Sequence, residues 1–204
     1  MAAEDFASRL EGVLAQAQET VTELGYSWAL IGGLAVSARA EPRFTRDVDL
    51  AVALKSDAQA EGLIRDLQAQ GYRIVTLLEQ EDLGRIATVR LTTPDGDHGI
   101  ILDLLFASSG IEPEIVERAT KIEVFPNITL PVARLSDLLA LKILAHDEDR
   151  RPQDALDIRA LLQEASDIDI DQTREALILI TNRGYHRDQD LLEKFAQLLQ
   201  RFSL

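Results

Sequence analysis

The chain has 204 residues, of which 46% are hydrophobic, and this content is enough to bury a core. Its 21 Lys and Arg residues against 35 Asp and Glu residues give a net charge of −14, which opposes indiscriminate binding to nucleic acid or an anionic membrane. Cysteine is absent, which excludes a disulfide framework and a thiolate metal site. No signal peptide pattern and no apolar run of roughly 20 residues is found, so we expect a cytoplasmic protein without a membrane partner.

The first 133 residues alternate between strand and helix patterns. Apolar residues at helical spacing from Phe6 to Leu24 predict an N-terminal helix that ends at Gly25. The apolar strand SWALI is followed by the pair Gly32-Gly33 and the helix LAVSARA. The strand DVDLAVAL and the helix DAQAEGLIRDLQAQG come next. Three further β-like runs are YRIVTLL, GRIATVRLTT and GIILDLLFA, the last two joined by the turn signal PDGD.

Helical patterns dominate the rest of the chain, after a short β excursion in KIEVFPNITLPVA. Four helices are predicted from LSDLLALKILAH, PQDALDIRALLQEA, DQTREALILITNRG and DQDLLEKFAQLLQRF, with Ser136, Asp171 and Asp188 as N-caps. We therefore predict an α+β fold. A mixed β-sheet with flanking helices, including the N-terminal helix, occupies residues 1–133, and a C-terminal helical domain over residues 134–204 packs against it.

Two carboxylates interrupt the apolar strand DVDLAVAL. Because successive side chains of a strand point to opposite faces, Asp47 and Asp49 share one face. Two like charges held side by side disfavour ionisation, and a bound divalent cation makes the arrangement favourable. Carboxylate oxygens suit Mg²⁺, and Asp103 in GIILDLLFA adds a third carboxylate if the two strands are neighbours. The alternative for Asp47 alone is a turn cap or a solvated side chain.

The glycine pair lies upstream of these carboxylates, with 13 residues between Gly33 and Asp47. Glycines at a strand-to-helix turn allow close approach of the backbone, and the amides of a helix N-terminus can hold a phosphate. Most such pairs are only turns. The order of strand, Gly-Gly, helix, Asp-x-Asp strand and later strand Asp is a much stronger signal than the pair itself.

This combination resembles the nucleotidyltransferase superfamily, whose fold is shared with DNA polymerase β, and IGGLAV, TRDVDL and LDLLF match the three parts of its pattern. Within it, IGGLAVSARAEPRFTRDVDLAV is similar to the AbiEii-type group, toxins of bacterial type IV toxin–antitoxin systems, and to related minimal nucleotidyltransferases. The resemblance implies a nucleotidyltransferase in which Asp47, Asp49 and Asp103 bind Mg²⁺ or Mn²⁺ and a nucleoside triphosphate is the substrate. An antitoxin protein is implied as a partner.

The same group carries a lysine and a helix of the form R-x-x-D-x-x-D in its helical half. Here LALKILAH supplies Lys142, and RRPQDALDIRALL supplies Arg151, Asp154 and Asp157. The resemblance implies that Lys142 is catalytic and contacts the nucleotide phosphates, and that one of the two acids orients Lys142 or the substrate. The alternative is a solvated Lys142, with the acids paired to Arg151 or Arg159.

Arginines crowd the segment before the Asp-x-Asp strand. Arg39, Arg43 and Arg46 lie there with Thr45, and guanidinium groups can bind the oxygens of a triphosphate in a fork. Arg43 and Thr45 match the R-x-T-x-D stretch of the family. The alternative is that the arginines only compensate the carboxylates. The residues expected to bind the nucleotide are Gly32, Gly33, Arg39, Arg43, Thr45, Lys142, Asp154 and Asp157.

The predicted reaction is metal-dependent transfer of a nucleoside monophosphate to an acceptor hydroxyl. Asp47 and Asp49 would hold the metal on the triphosphate, and Asp103 with a second metal would activate the acceptor. The resemblance favours an RNA acceptor such as the 3′ end of tRNA. A protein side chain and a small molecule are alternative acceptors, and a non-catalytic binding module is the alternative from another class.

Overall fold

The computed structural model describes residues 2–80, 84–94, 100–147 and 152–202, with side chains from residue 6 onward. The helices of this part of the chain are α1 (Ala2–Glu23), α2 (Gly32–Arg39), α3 (Asp57–Ala69), α4 (Glu112–Arg118), α5 (Leu135–Ala145), α6 (Pro152–Glu164), α7 (Asp167–Asn182) and α8 (Leu191–Phe202). The strands are β1 (Trp28–Ile31), β2 (Asp47–Val52), β3 (Arg73–Gln80), β4 (Arg85–Thr92), β5 (Ile101–Leu105), β6 (Thr120–Phe125) and β7 (Ile128–Val132). None of the described helices is long and apolar enough to cross a bilayer.

The strands form one mixed sheet in the order β3-β4-β5-β2-β1-β7-β6. Strand β2 runs parallel to β5 and antiparallel to β1, and β1 runs parallel to β7. The predicted α+β fold with a mixed sheet is confirmed, and the strands predicted in the first half are all present. The expected β segment is confirmed, and it forms a hairpin of β6 and β7 that extends the sheet beyond β1. Most of the predicted turn at residues 94–97 lies outside the described residues.

The centre of the sheet is its most buried part. All four residues of β1 are buried, as are Val48, Leu50, Ala51 and Val52 of β2. A slip of one residue would move every side chain of β2 to the other face of the sheet, so this burial fixes the register of β2 against its neighbours. The register in turn fixes where the aspartates of β2 lie.

The helices after residue 133 pack on one another and on α2. Helix α5 contacts α6 and α7, and α2 contacts both α5 and α6. Strand β7 ends at Val132 and α5 begins at Leu135, although the division of the chain into two domains stays a prediction.

The predicted N-caps of three of these helices are wrong. The N-cap of α5 is Arg134, and Ser136 is buried inside the helix. Helix α7 is capped by Ser166 in a capping box with Asp169, which satisfies the first amides before Asp171 is reached. At α8, the Asp190 carboxylate accepts a hydrogen bond from the Glu193 amide, so Asp188 lies outside the helix.

Candidate active site

The three predicted carboxylates lie on adjacent strands. Asp49 of β2 is directly opposite Asp103 of β5, and Arg90 of β4 is directly opposite Asp103 on its other side. Directly opposed residues present their side chains on the same face of a sheet. The Arg90 guanidinium donates to both oxygens of Asp103, from Nε to Oδ1 at 2.9 Å and from Nη2 to Oδ2 at 2.6 Å. Asp103 is 6% exposed, so this fork supplies its charge compensation in a buried position.

The two carboxylates of β2 resist ionisation. Burial is the largest cause and raises the pKa of Asp49 to about 7, and the charges of Asp103 and Asp47 act in the same direction against Lys142 and Arg90. Burial, followed by the charge of Asp103, also raises the pKa of Asp47. A cation between Asp47 and Asp49 would relieve this repulsion. Within the described ranges, no three acidic or histidine side chains converge as a ready metal site.

Because Gly32 and Gly33 have no side chains, other side chains of the site pack closely against both residues. Gly32 is the first residue of α2 and has a φ of +67°, in the left-handed region that favours glycine. The Asp49 side chain lies directly over it, because a Cβ on Gly32 would come within 2.7 Å of the Asp49 Cβ. A Cβ on Gly33 would lie 2.8 Å from both Arg43 Nη2 and Thr45 Oγ1. The amides of the first turn of α2 have no partner within the helix and could face a phosphate beside Asp49.

Arg43 connects the loop before β2 to the helical half. Its Nε and Nη2 donate to the two oxygens of Asp157 at 2.6 and 2.8 Å, and its Nη1 donates to the Phe44 carbonyl at 3.1 Å. Its amide donates to the Ser37 hydroxyl at 3.2 Å, and that hydroxyl donates to the Gly33 carbonyl at 3.0 Å. Arg43 is therefore fixed at both its backbone and its side chain.

Lys142 of α5 completes this network. Its Nζ lies 2.9 Å from Asp154 Oδ1 and 2.8 Å from Asp157 Oδ2, and its side chain is 15% exposed. Burial alone would raise the pKa of Asp157, but the hydrogen bonds from Arg43 and Lys142 outweigh it and lower the pKa. The acids of α6 thus contact Lys142, and Asp157 also pairs with Arg43. Arg151 of the predicted motif lies outside the described residues.

Arg39 is engaged away from the carboxylates. Its Nε donates to the Ala133 carbonyl at 2.9 Å, and its Nη2 donates to the Val132 carbonyl at 3.0 Å and to Thr120 Oγ1 at 2.6 Å. These contacts fasten α2 to the hairpin of β6 and β7. These contacts do not support the prediction that Arg39 binds the nucleotide.

Arg46 lies on the open surface beside an exposed aromatic ring. Its guanidinium carbon is 5.6 Å from the centroid of Phe44, which is 65% exposed. The Phe44 ring also contacts that of Phe6, with centroids 5.2 Å apart. The loop before β2 therefore presents an aromatic ring and a cation to solvent next to Asp47.

Three residues of the site were not expected from the sequence: Arg90, Ser37 and Phe44. Alternation in GRIATVRLTT shows that Arg90 is on the polar face of its strand, but the partner on the next strand depends on a register that the sequence does not fix. Ser37 looks like any small residue of an amphipathic helix. In the sequence, Phe44 lies between Arg43 and Arg46. This interleaving of aromatic and basic residues could have indicated a surface that binds nucleic acid.

Comparisons with known proteins agree with this geometry. The family model of the nucleotidyl transferase AbiEii toxin of type IV toxin–antitoxin systems matches residues 17–203. No curated protein matches the chain. An antigenic nucleotidyltransferase-like protein from Paracoccidioides brasiliensis is 19% identical, with 92% of each chain covered and a TM-score of 0.53. The lincosamide antibiotic adenylyltransferase LnuA, bound to lincomycin, is 16% identical over 74% of this chain and 96% of its own, with a TM-score of 0.50.

The two structural likenesses show a nucleotidyltransferase fold, as the sequence motifs predicted. The family match covers nearly the whole chain, so the activity is transfer of a nucleoside monophosphate. The protein is a nucleotidyltransferase and belongs to the AbiEii toxin family.

Proposed function

We propose that the chain transfers a nucleoside monophosphate to a hydroxyl of an RNA, such as a tRNA 3′ end, with Mg²⁺ or Mn²⁺ held by Asp47 and Asp49. The observation that carries the proposal is the position of Asp49, in register with Asp103 and directly over Gly32 at the start of α2. The residues fit a hard divalent cation, because they offer carboxylate oxygens in a position where burial and mutual repulsion raise the pKa of Asp49 to about 7. Bound there, the cation would stabilise the charge of the transferring phosphoryl group.

The chain itself would position the reacting groups. The amides at the start of α2 and the Lys142 ammonium hold the β and γ phosphates, and Lys142 has a third N–H beyond the two that face Asp154 and Asp157. The acceptor oxygen forms a bond to the α-phosphorus while the bond to the pyrophosphate oxygen breaks. Asp103 takes the proton of the acceptor hydroxyl on an oxygen lone pair. No covalent enzyme intermediate is required, and positioning supplies most of the catalysis.

An RNA acceptor is supported by the family and by the surface before β2. The family belongs to toxin–antitoxin systems, so an antitoxin is the proposed opposing partner. Phe44 offers a solvent-facing ring on which an unpaired base could stack, with Arg46 beside it for a phosphate. Recognition is then confined to this edge, because a net charge of −14 repels the RNA backbone elsewhere.

Incubation with each labelled nucleoside triphosphate, Mg²⁺ and total tRNA tests the proposal. We expect label in RNA with wild type, and none without Mg²⁺ or with Asp49→Asn. Asp171→Asn, which changes an exposed acid of α7, is the matched control and should retain activity. Label in a protein or small-molecule fraction of a lysate would reassign the acceptor. The absence of label from every fraction with every triphosphate would contradict transfer and favour a binding module.

The role of Lys142 has its own test. Lys142→Ala should weaken binding of a nucleoside triphosphate by about tenfold or more and leave monophosphate binding nearly unchanged, because a charge-assisted hydrogen bond to the outer phosphates is lost. Calorimetric titration with the two ligands measures both affinities. An equal loss for the two ligands would show that Lys142 does not contact the β and γ phosphates.

A further inference from the structure

Arg90 pairs with Asp103, the carboxylate that would hold a second metal ion in a two-metal site. We infer that the chain binds a single divalent cation, on Asp47 and Asp49, and that Arg90 is a positioning residue that replaces the second cation at Asp103. This inference rests on the metal-dependent transfer proposed above, and it replaces the expectation that Asp103 is a metal ligand.

The first argument is the geometry of the contact. Nε and Nη2 of Arg90 donate to different oxygens of Asp103 at 2.9 and 2.6 Å, the two parallel bonds of a bidentate pair. Asp103 has one partner on each oxygen, and its side chain is only 9% exposed. A metal ion at Asp103 could use only the lone pairs that the fork leaves, and there it would lie beside the guanidinium, whose positive charge repels it.

The second argument is that the sheet fixes the backbone of Arg90 beside Asp103, while the side chain itself is 46% exposed. Its strand pairs with β5 through Val89 opposite Leu104, Arg90 opposite Asp103, and Leu91 opposite Leu102. Val89 and Leu91 on either side of Arg90 are fully buried, so they hold the register of β4. The guanidinium is therefore delivered to Asp103 by the sheet and not by a mobile loop.

The third argument is charge. Arg90, Asp103 and Asp49 are directly opposed across β4, β5 and β2, so the positive charge of Arg90 lies on the same face of the sheet as the row of carboxylates. Arg90 and one divalent cation together neutralise three carboxylates. Without bound nucleotide, a second divalent cation would leave an excess of positive charge beside the guanidinium of Arg90, where the two repel each other.

In this arrangement the carboxylates have two different roles, metal binding and proton transfer. Asp47 and Asp49 keep their oxygens for the cation. Asp103 is held in one orientation by the fork, and each of its oxygens keeps a further lone pair for the proton of an acceptor hydroxyl. Arg90 thus orients the proton acceptor and need not touch the substrate.

Counting bound Mn²⁺ by electron paramagnetic resonance tests this inference without any turnover. Wild type should bind one Mn²⁺ per chain, and Asp49→Asn should bind none at this site. Arg90→Gln should bind two, and the second ion should give the dipolar broadening of a pair about 4 Å apart. Arg90→Lys keeps the positive charge and should still bind one.

Two variants separate this effect from loose binding to an acidic surface. Arg90→Gln combined with Asp103→Asn should return to one Mn²⁺, because the new ligand is removed with the arginine. Arg85→Gln changes another arginine of β4, which pairs with Asp57 at 3.2 Å, and should bind one Mn²⁺ as wild type does. Thermal melts confirm that each variant is folded.

The outcomes distinguish this inference from the proposed function. A coupled pair of Mn²⁺ ions in wild type would overturn the single-cation inference and leave metal-dependent transfer standing. No Mn²⁺ in wild type would overturn both. An unchanged count of one in a folded Arg90→Gln would show that Arg90 does not exclude the second ion and would also overturn the inference.

Discussion

The protein contains two clusters of aspartates that face opposite electrostatic conditions. In the sheet, Asp47, Asp49 and Asp103 share one arginine, and burial with mutual repulsion raises the pKa of Asp49 to about 7. In the helical half, Asp154 and Asp157 share Lys142 and Arg43, and these hydrogen bonds lower the pKa of Asp157. Burial therefore disfavours the ionised form of Asp49, whereas hydrogen bonds from two cations favour the ionised form of Asp157.

The difference teaches what each cluster is suited to do. The strand cluster, formed by Asp47, Asp49 and Asp103, has an excess of negative charge. A bound cation would neutralise this excess. In the helical cluster, Asp154 and Asp157 balance the charges of Lys142 and Arg43, so no bound ion is needed to neutralise it. It fixes Lys142 and Arg43, so it can present a donor to a phosphate without rearranging. Removing an acid should therefore have opposite effects on stability in the two clusters.

The largest expected effect is the loss of stability in Asp157→Asn. Its carboxylate is 1% exposed and accepts hydrogen bonds from Arg43 and contacts Lys142, so the variant leaves two partly buried cations under-compensated. We expect the free energy of unfolding to fall by about 3 kcal/mol. Urea denaturation followed by circular dichroism measures it.

A matched acid on the surface is the control for this prediction. Asp171 pairs with Arg174 on α7, and its side chain is 74% exposed. Asp171→Asn should change the free energy of unfolding by less than about 0.5 kcal/mol. Similar losses in the two variants would mean that the helical cluster is not a structural brace.

Gly32→Ala comes next in size. A left-handed φ costs a residue with a Cβ about 1–2 kcal/mol, and here the new methyl group would also displace the Asp49 side chain. Gly25 has a φ of +80°, and a Cβ at this position would meet no heavy atom within 4 Å, so Gly25→Ala should carry only the backbone cost. Thermal melts compare the two variants. An equal decrease of the melting temperature in the two variants would contradict the close packing of Asp49 on Gly32. A larger decrease for Gly32→Ala, together with loss of transfer activity, would support it.

Sequence patterns predicted the parts of the site that are local. The order of Gly-Gly, Asp-x-Asp and the later Asp103 was readable because period-two alternation and a glycine turn are properties of short segments. The ion pairs of Arg43 with Asp157 and of Arg90 with Asp103 were not, because they join positions 114 and 13 residues apart and depend on packing and register.

The N-caps of three helices were predicted wrongly, and the β segment at the far edge of the sheet was predicted without its hairpin, for similar reasons. Several Ser and Asp residues near the start of α7 could cap it, and only the geometry of Ser166 and Asp169 selects one pair. The hairpin of β6 and β7 has a weak pattern because its strands are partly exposed at the edge of the sheet. The contacts of Arg39 with the carbonyls of Val132 and Ala133 arise from that hairpin and could not be foreseen without it.

The pH dependence of stability gives a smaller effect that distinguishes the clusters. The pKa of Asp49 is about 7 in the folded chain and about 3.9 when unfolded, so the folded state binds more protons between these values. Stability should therefore fall as pH rises from about 4 to about 7 and then level off. In Asp49→Asn this contribution is absent. In metal-free buffer, wild type should lose on the order of 1 kcal/mol relative to the variant between pH 5 and pH 8, because only the folded state of wild type holds the Asp49 proton over this range.

Asp157 should show the opposite sign. Its pKa is lowered on folding, so its stabilising contribution is complete above the unfolded pKa of about 4 and is lost as pH falls below that value. Urea denaturation of wild type, Asp49→Asn and Asp157→Asn at pH 3, 5 and 8 separates the two contributions. A wild-type curve that is parallel to that of Asp49→Asn between pH 5 and 8 would contradict the raised pKa of Asp49.

The last prediction concerns RNA binding, where a net charge of −14 has to be reconciled with a polyanionic acceptor. Arg39 and Arg43 donate to groups of the chain itself, and Arg150 and Arg151 lie outside the described residues. Arg46 is the exposed arginine beside Asp47, so few phosphates are contacted, on the order of 2 to 4. The logarithm of affinity should then fall with the logarithm of salt concentration with a shallow slope, roughly −0.7 per contact.

Arg46→Glu sharpens this last point. It should weaken tRNA binding by about tenfold and make the slope less negative by about 0.7, since one phosphate contact is lost. Arg174→Glu, on the exposed face of α7 and far along the chain, is the control and should change neither quantity. Fluorescence titrations at several salt concentrations measure the slope for each variant. A wild-type slope typical of about 8 phosphate contacts would contradict recognition confined to the surface around Arg46. It would mean that a basic partner or an assembly of several chains supplies the rest of the positive surface.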